Sequence, residues 1–256
     1  MAPAPRPRTK PLLRGVSHEL AAYLSVPAVV SLVAAAGSGV ARVAALAYGA
    51  SLVTLLSVSA LYHRPWWPPR ARGLVGRCDH AAIFVLIAGT YTPFCLVLGP
   101  GAGHGLLAAV WGGAALGVAL ALAWEDAPKV LMAGVYVAFG WIFMATLPAM
   151  RAAVGDATVA WVLAGGLIYT AGAAVYASRR PDPFPAVFGY HEIFHLLVVV
   201  AAICHYAAVD RAVAQLRVQA PPALAAGARP AARPPPGPVL GAAARTGGAD
   251  PERARR

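Results

Sequence analysis

The chain has 256 residues, 59% of them hydrophobic and only 12% charged, with a mean hydropathy of +0.63. A soluble domain of this size needs more charge to cover its surface, so these figures exclude one. The net charge of +11 would suit nucleic-acid binding. Its arginines and lysines, however, stand between and beyond the apolar runs, where orientation signals and lipid-headgroup contacts fall. Membrane lipids, not nucleic acids, are the expected partners.

Three cysteines, Cys78, Cys95 and Cys204, form no CxxC pair, which argues against a disulfide framework or a thiolate cluster. The N-terminus is basic and proline-rich, without a short apolar core followed by a small-residue cleavage site, so a cleaved signal peptide is not expected.

Several runs approach the roughly 20 apolar residues that cross a hydrocarbon core. Seven spans are expected, making an all-α, seven-transmembrane helix bundle. The first covers about Glu19 to Ala36 and contains Pro27, and the second about Ala41 to His63. A basic, proline-broken loop follows from Arg64 to Arg70, its tryptophans suited to headgroup level. The third span begins at Asp79, carries Gly89-Thr90-Tyr91-Thr92-Pro93, and closes at Gly99-Pro100-Gly101. The fourth covers about Gly105 to Trp124, the fifth Val130 to Pro148 and the sixth Thr158 to Ala177. The seventh runs from Gly189 to about Val209. The chain is expected to divide into a basic segment (1–16), a membrane domain (17–210) and a disordered Ala/Pro/Arg-rich tail (211–256).

Basic residues gather before the first span and in alternate short loops. Arg64, Arg70, Arg72 and Arg77 follow the second span, Lys129 the fourth, and Arg179 with Arg180 the sixth. The opposite loops offer Arg42 and Arg151. By the positive-inside rule the N-terminus is expected in the cytoplasm.

That topology brings His63, Asp79, His191 and His195 to one depth near one membrane face. His191 and His195 are four residues apart, on one helix face, and can grip one ion. Three neutral imidazoles and a water make a zinc site with one open position, and a nearby carboxylate can orient and deprotonate that water. Ser59, one turn before His63, can hydrogen-bond a ligand or a substrate carbonyl. Taken singly, each has a plainer reading. His63 is then a partly solvated interfacial residue, and the histidine pair a helix–helix contact. Asp79 becomes a helix cap or a partner of Arg77. Their coincidence at one depth favours a metal. His205, about 21 Å farther along the helix than His191, cannot join that ion. His80 points roughly 100° away from Asp79. His18 and His104 are expected outside the spans and solvated, and Glu192 next to the site or at the interface, with an acid–base role as the lesser alternative.

Ser59-Ala60-Leu61-Tyr62-His63, the Asp79 opening followed by GTYTP, and HEIFHLLVVVAAICH at His191–His205 resemble the haemolysin III family. This is the bacterial branch of the progestin and adipoQ receptor superfamily, which is related to alkaline ceramidases. The resemblance covers about Ser17 to Val209. It implies seven helices with a cytoplasmic N-terminus in a bacterial inner membrane. It also implies one zinc held by His63, His191 and His195, with Asp79 and Ser59 beside it in catalytic positions. Thr90 departs from the serine common in that motif but keeps the hydroxyl. The expected function is a zinc-dependent hydrolase of lipid amides. A pore-forming haemolysin and a membrane sensor with structural zinc are the alternatives, and the sequence leaves the oligomeric state open.

Overall fold

The computed structural model describes residues 10–37, 39–124 and 126–219, and these are helical with no strand element among them. The helices are α1 (Val16–Ala36), α2 (Gly39–His63), α3 (Pro69–Leu98), α4 (Ala102–Ala123) and α5 (Lys129–Gly140). A 3₁₀ turn (Trp141–Thr146) then leads to α6 (Leu147–Val154), followed by α7 (Asp156–Ser178) and α8 (Tyr190–Gln219). With α5, the turn and α6 taken as one span, seven are long and apolar enough to cross a membrane, as the sequence predicts.

α3 lies innermost, with 72% of its most apolar stretch buried against 22% for α1, α4 and α7. Consecutive helices pack side by side from α1 to α4, while α8 returns against α1, α2, α3 and α7. The last helix therefore closes the bundle over the first three, which brings residues about 130 positions apart into contact.

Three boundaries differ from the sequence reading. α3 starts at Pro69, so Asp79 stands ten residues inside a helix and cannot be its cap. Proline at the first helical position needs no N–H partner, and it starts the helix inside the expected loop. α8 continues to Gln219, past Val209 and into the segment read as tail. Ala212, Val213 and Leu216 are buried there, so apolar packing extends the helix. The remainder of the expected tail lies outside the described residues.

The fifth span is the third difference, because it is broken in mid-membrane. A break exposes backbone polar groups that lipid cannot satisfy. Tyr91 of the GTYTP motif repairs it: its hydroxyl donates to the Gly140 carbonyl at 2.7 Å and accepts from the Phe143 N–H at 2.6 Å. Tyr91→Phe is expected to lose about 2 kcal/mol, since both backbone groups are left without that partner. Thermal unfolding in detergent measures it, and an unchanged midpoint rules this role out. Thr92 accepts from the Trp111 indole at 3.1 Å, tying α3 to α4. The motif is thus accounted for by packing.

Candidate metal centre

His63 is the last residue of α2, while His191 and His195 occupy the first two turns of α8. Each offers one nitrogen, and the three nitrogens lie within 4.8 Å of one another. The Nε2 atoms of His63 and His191 are 3.3 Å apart. Two imidazole nitrogens on a tetrahedral zinc, each bound at 2.0–2.1 Å, stand about 3.4 Å apart. The spacing of this pair fits, and three imidazoles without a thiolate form a donor set that suits zinc. His63 and His195 are buried, at 5% and 2% exposure.

Asp79 comes from α3, with Oδ2 3.6 Å from His63 Nε2. Arg77, one alternative partner, instead donates to the Leu122 carbonyl at 2.9 Å. The structure therefore brings His63, Asp79, His191 and His195 together from three helices.

His18 overturns its expectation. It is not solvated outside a span but buried in the first turn of α1, at 3% exposure. Its Nδ1 is 2.8 Å from Ser59 Oγ, and its ring stacks on His195 at a centroid distance of 3.9 Å. Ser59 thus has an imidazole partner that the sequence reading did not foresee. The stack places His18 directly against one histidine of the cluster.

The reason lies in the segment before α1, which folds across this end of the bundle. The N–H groups of Leu12 and Leu13 donate to the carbonyls of Ala186 and Val187, at 3.0 and 3.1 Å. The Arg14 guanidinium pairs with Glu192, and Lys10 Nζ donates to the Arg64 carbonyl at 2.7 Å. Glu192 Oε2 also accepts from the Gly189 N–H at 2.8 Å, which caps α8. Glu192 is therefore a structural anchor between α8 and the segment before α1. Arg64 pairs with Glu19 at 2.6 Å, completing the clamp.

Gly15 begins α1 with φ of 80°, a left-handed conformation, and a Cβ there would lie 2.6 Å from the His63 Cβ. Gly15→Ala combines an unfavourable φ, costing about 1 kcal/mol, with a direct push on a cluster residue. The expected result is weaker zinc binding together with a lower melting temperature. Zinc titration of the variant checks it, and wild-type affinity would refute the coupling.

The cluster forms one end of a cavity of about 340 Å³, within the range of small-ligand pockets. Ile83, Ile87, Phe94, Phe143 and Val198 line its length, and Tyr169 and His205 line it as well. His80 also lines it, so a position on α3 about 100° from Asp79 still reaches this space. His104 is exposed in the first turn of α4. The arrangement joins an end that could hold a metal ion to an apolar chamber.

The profile of a family described as Haemolysin-III related matches residues 7–206. The chain is 30% identical to the hemolysin-3 homolog of Bacillus subtilis over 194 residues, 73% of this chain and 87% of the relative. It is 32% identical to hemolysin-3 of Bacillus cereus over 193 residues, 73% and 84% of the two chains. The human monocyte to macrophage differentiation factor is 30% identical over 174 residues, 66% of this chain and 69% of that one. An integral, multi-pass membrane protein, this chain belongs to the haemolysin III family, within the progestin and adipoQ receptor superfamily.

Proposed function

We propose that this protein is a zinc-dependent hydrolase of lipid amides, with the cluster facing the cytoplasm of a bacterial cell. The observation that carries the reading is a three-histidine cluster and a carboxylate opening into one apolar cavity inside a membrane bundle. His63, His191 and His195 would hold the zinc. When bound, zinc supplies a Lewis acid that polarises a carbonyl and lowers the pKa of water.

The remaining work falls to the chain. The cavity takes the acyl chain out of the bilayer and places the amide at the polar end. Asp79 Oδ2 accepts a proton from the attacking water as its oxygen bonds to the carbonyl carbon. The carbon–nitrogen bond then breaks, and the proton passes to the leaving amine, giving a fatty acid and an amine. The His18–Ser59 pair holds Ser59 Oγ in place beside the cluster.

The test is a screen of amide lipids, including N-acyl sphingosines and N-acyl amino acids, with zinc-loaded protein in detergent. Fatty-acid release that is lost on chelation and restored by zinc supports the reading. No release from any amide by fully loaded protein sinks it.

A second reading, structural zinc in a membrane sensor, rests on the position of the cluster. It pins the end of α2 to the start of α8, with Asp79 of α3 alongside. Chelation then lowers the melting temperature while no turnover exists to lose. The names of the Bacillus relatives raise a pore-forming role, which zinc-independent dye release from liposomes would reveal.

A further inference from the structure

The cavity has a second polar feature, distant from the cluster. His205 sits on α8 ten residues beyond His195, about 15 Å farther along the axis at 1.5 Å per residue. Its Nε2 lies 3.2 Å from the Val162 carbonyl. A carbonyl only accepts, so the ring hydrogen is on Nε2, and in the neutral imidazole Nδ1 is left as a bare acceptor. Among the described residues no group donates to it. The Tyr169 ring stands 5.3 Å from the His205 ring, and its hydroxyl likewise has no hydrogen-bond partner among the described residues.

Neither atom is walled off by its neighbours, and both residues line the cavity. The position is also built for the ring. A Cβ on Gly165 of α7 would collide with the His205 imidazole, so the glycine is what lets His205 lie between α7 and α8. A polar ring inside a membrane span is costly and calls for a partner.

We infer that His205 and Tyr169 form a distal subsite that binds a hydroxyl group on the chain of the lipid held in the cavity. His205 Nδ1 accepts the hydroxyl hydrogen, and the Tyr169 hydroxyl donates to its oxygen. An extended methylene chain advances about 1.25 Å per carbon, from a 1.52 Å bond and tetrahedral angles. The 15 Å span therefore places the preferred hydroxyl about twelve carbons from the carboxyl or amide carbon. This rests on the proposal that the cavity holds an acyl chain with its polar head at the cluster.

Binding of dodecanoic acid and 12-hydroxydodecanoic acid to the purified protein separates the possibilities. A terminal hydroxyl ordinarily weakens binding in an apolar cavity, so the sign of the effect is informative. The wild type is expected to bind the hydroxy acid about fivefold more tightly, the worth of one to two hydrogen bonds. His205→Phe should abolish or reverse that preference while still binding dodecanoic acid. Tyr169→Phe should reduce the preference, and it provides a second variant if His205→Phe does not fold.

Equal affinities in the wild type, as when water alone fills the subsite, overturn the inference. So does a preference that survives in both variants. If neither acid binds, the acyl-chain reading of the cavity has failed and the subsite with it. If the preference is present but no amide is hydrolysed, the subsite stands and only the hydrolase reading falls.

Discussion

Exchanging His191 for alanine is expected to strip the purified protein of its metal. Wild-type protein prepared without chelators should carry about one zinc per chain, the content of a single three-histidine site. The variant should carry almost none, because two imidazoles and an open position hold zinc weakly. His104→Ala, at an exposed position on α4, is the control that should leave the content unchanged. The prediction turns on how the 3.3 Å contact between His63 and His191 is interpreted. That distance suits two ligands of one ion, but it also suits a hydrogen bond between a ring N–H and a bare ring nitrogen. The two accounts part on elemental analysis. Metal-free wild-type protein, or zinc retained in His191→Ala, would leave the rings as helix-to-helix contacts. Zinc lost in the variant, with its helix content intact, would establish the site.

Much of this site was legible because it depends on order along the chain. Apolar runs place span ends, and alternate ends meet at one membrane face, so His63 and His191 could be matched without coordinates. Pairing at equal depth does not require knowing which helices touch. His18 was not legible for a related reason. Its depth depends on where α1 begins, and that is fixed by Gly15 and by backbone bonds from Leu12 and Leu13 to Ala186 and Val187. Those contacts cross more than 170 residues and leave no periodic trace. The break in the fifth span was hidden too. Val130 to Pro148 reads as one apolar run, and the Tyr91 hydroxyl that bonds two backbone groups at the break is supplied by another helix. The start of α3 was misplaced because the arginines at 70, 72 and 77 resemble a loop, although a helix can extend charged residues beyond the membrane. His205 stands ten residues beyond His195 on α8. Its place in the cavity depended on the packing of Gly165 against it, which no sequence spacing reveals.

Asp79→Asn is expected to cost the proposed hydrolysis about two to four orders of magnitude, the usual worth of a positioned base, while zinc stays bound. The exchange preserves shape and leaves hydrogen-bonding atoms in place, but an amide cannot take the proton from water. Ten residues inside α3, Asp79 is not needed to cap a helix, so its loss should not unravel one. The carboxylate is 9% exposed, with Oδ2 3.6 Å from His63 Nε2. A buried charge is costly, and a divalent ion in the cluster would compensate it. The same variant therefore separates two roles by two readouts. Lost turnover with full zinc occupancy and an unchanged melting temperature identifies a base. Lost zinc identifies a carboxylate that supports the metal, whatever the turnover. Unchanged turnover and unchanged zinc would remove Asp79 from both roles and move the search for a proton acceptor to the other groups that line the cavity.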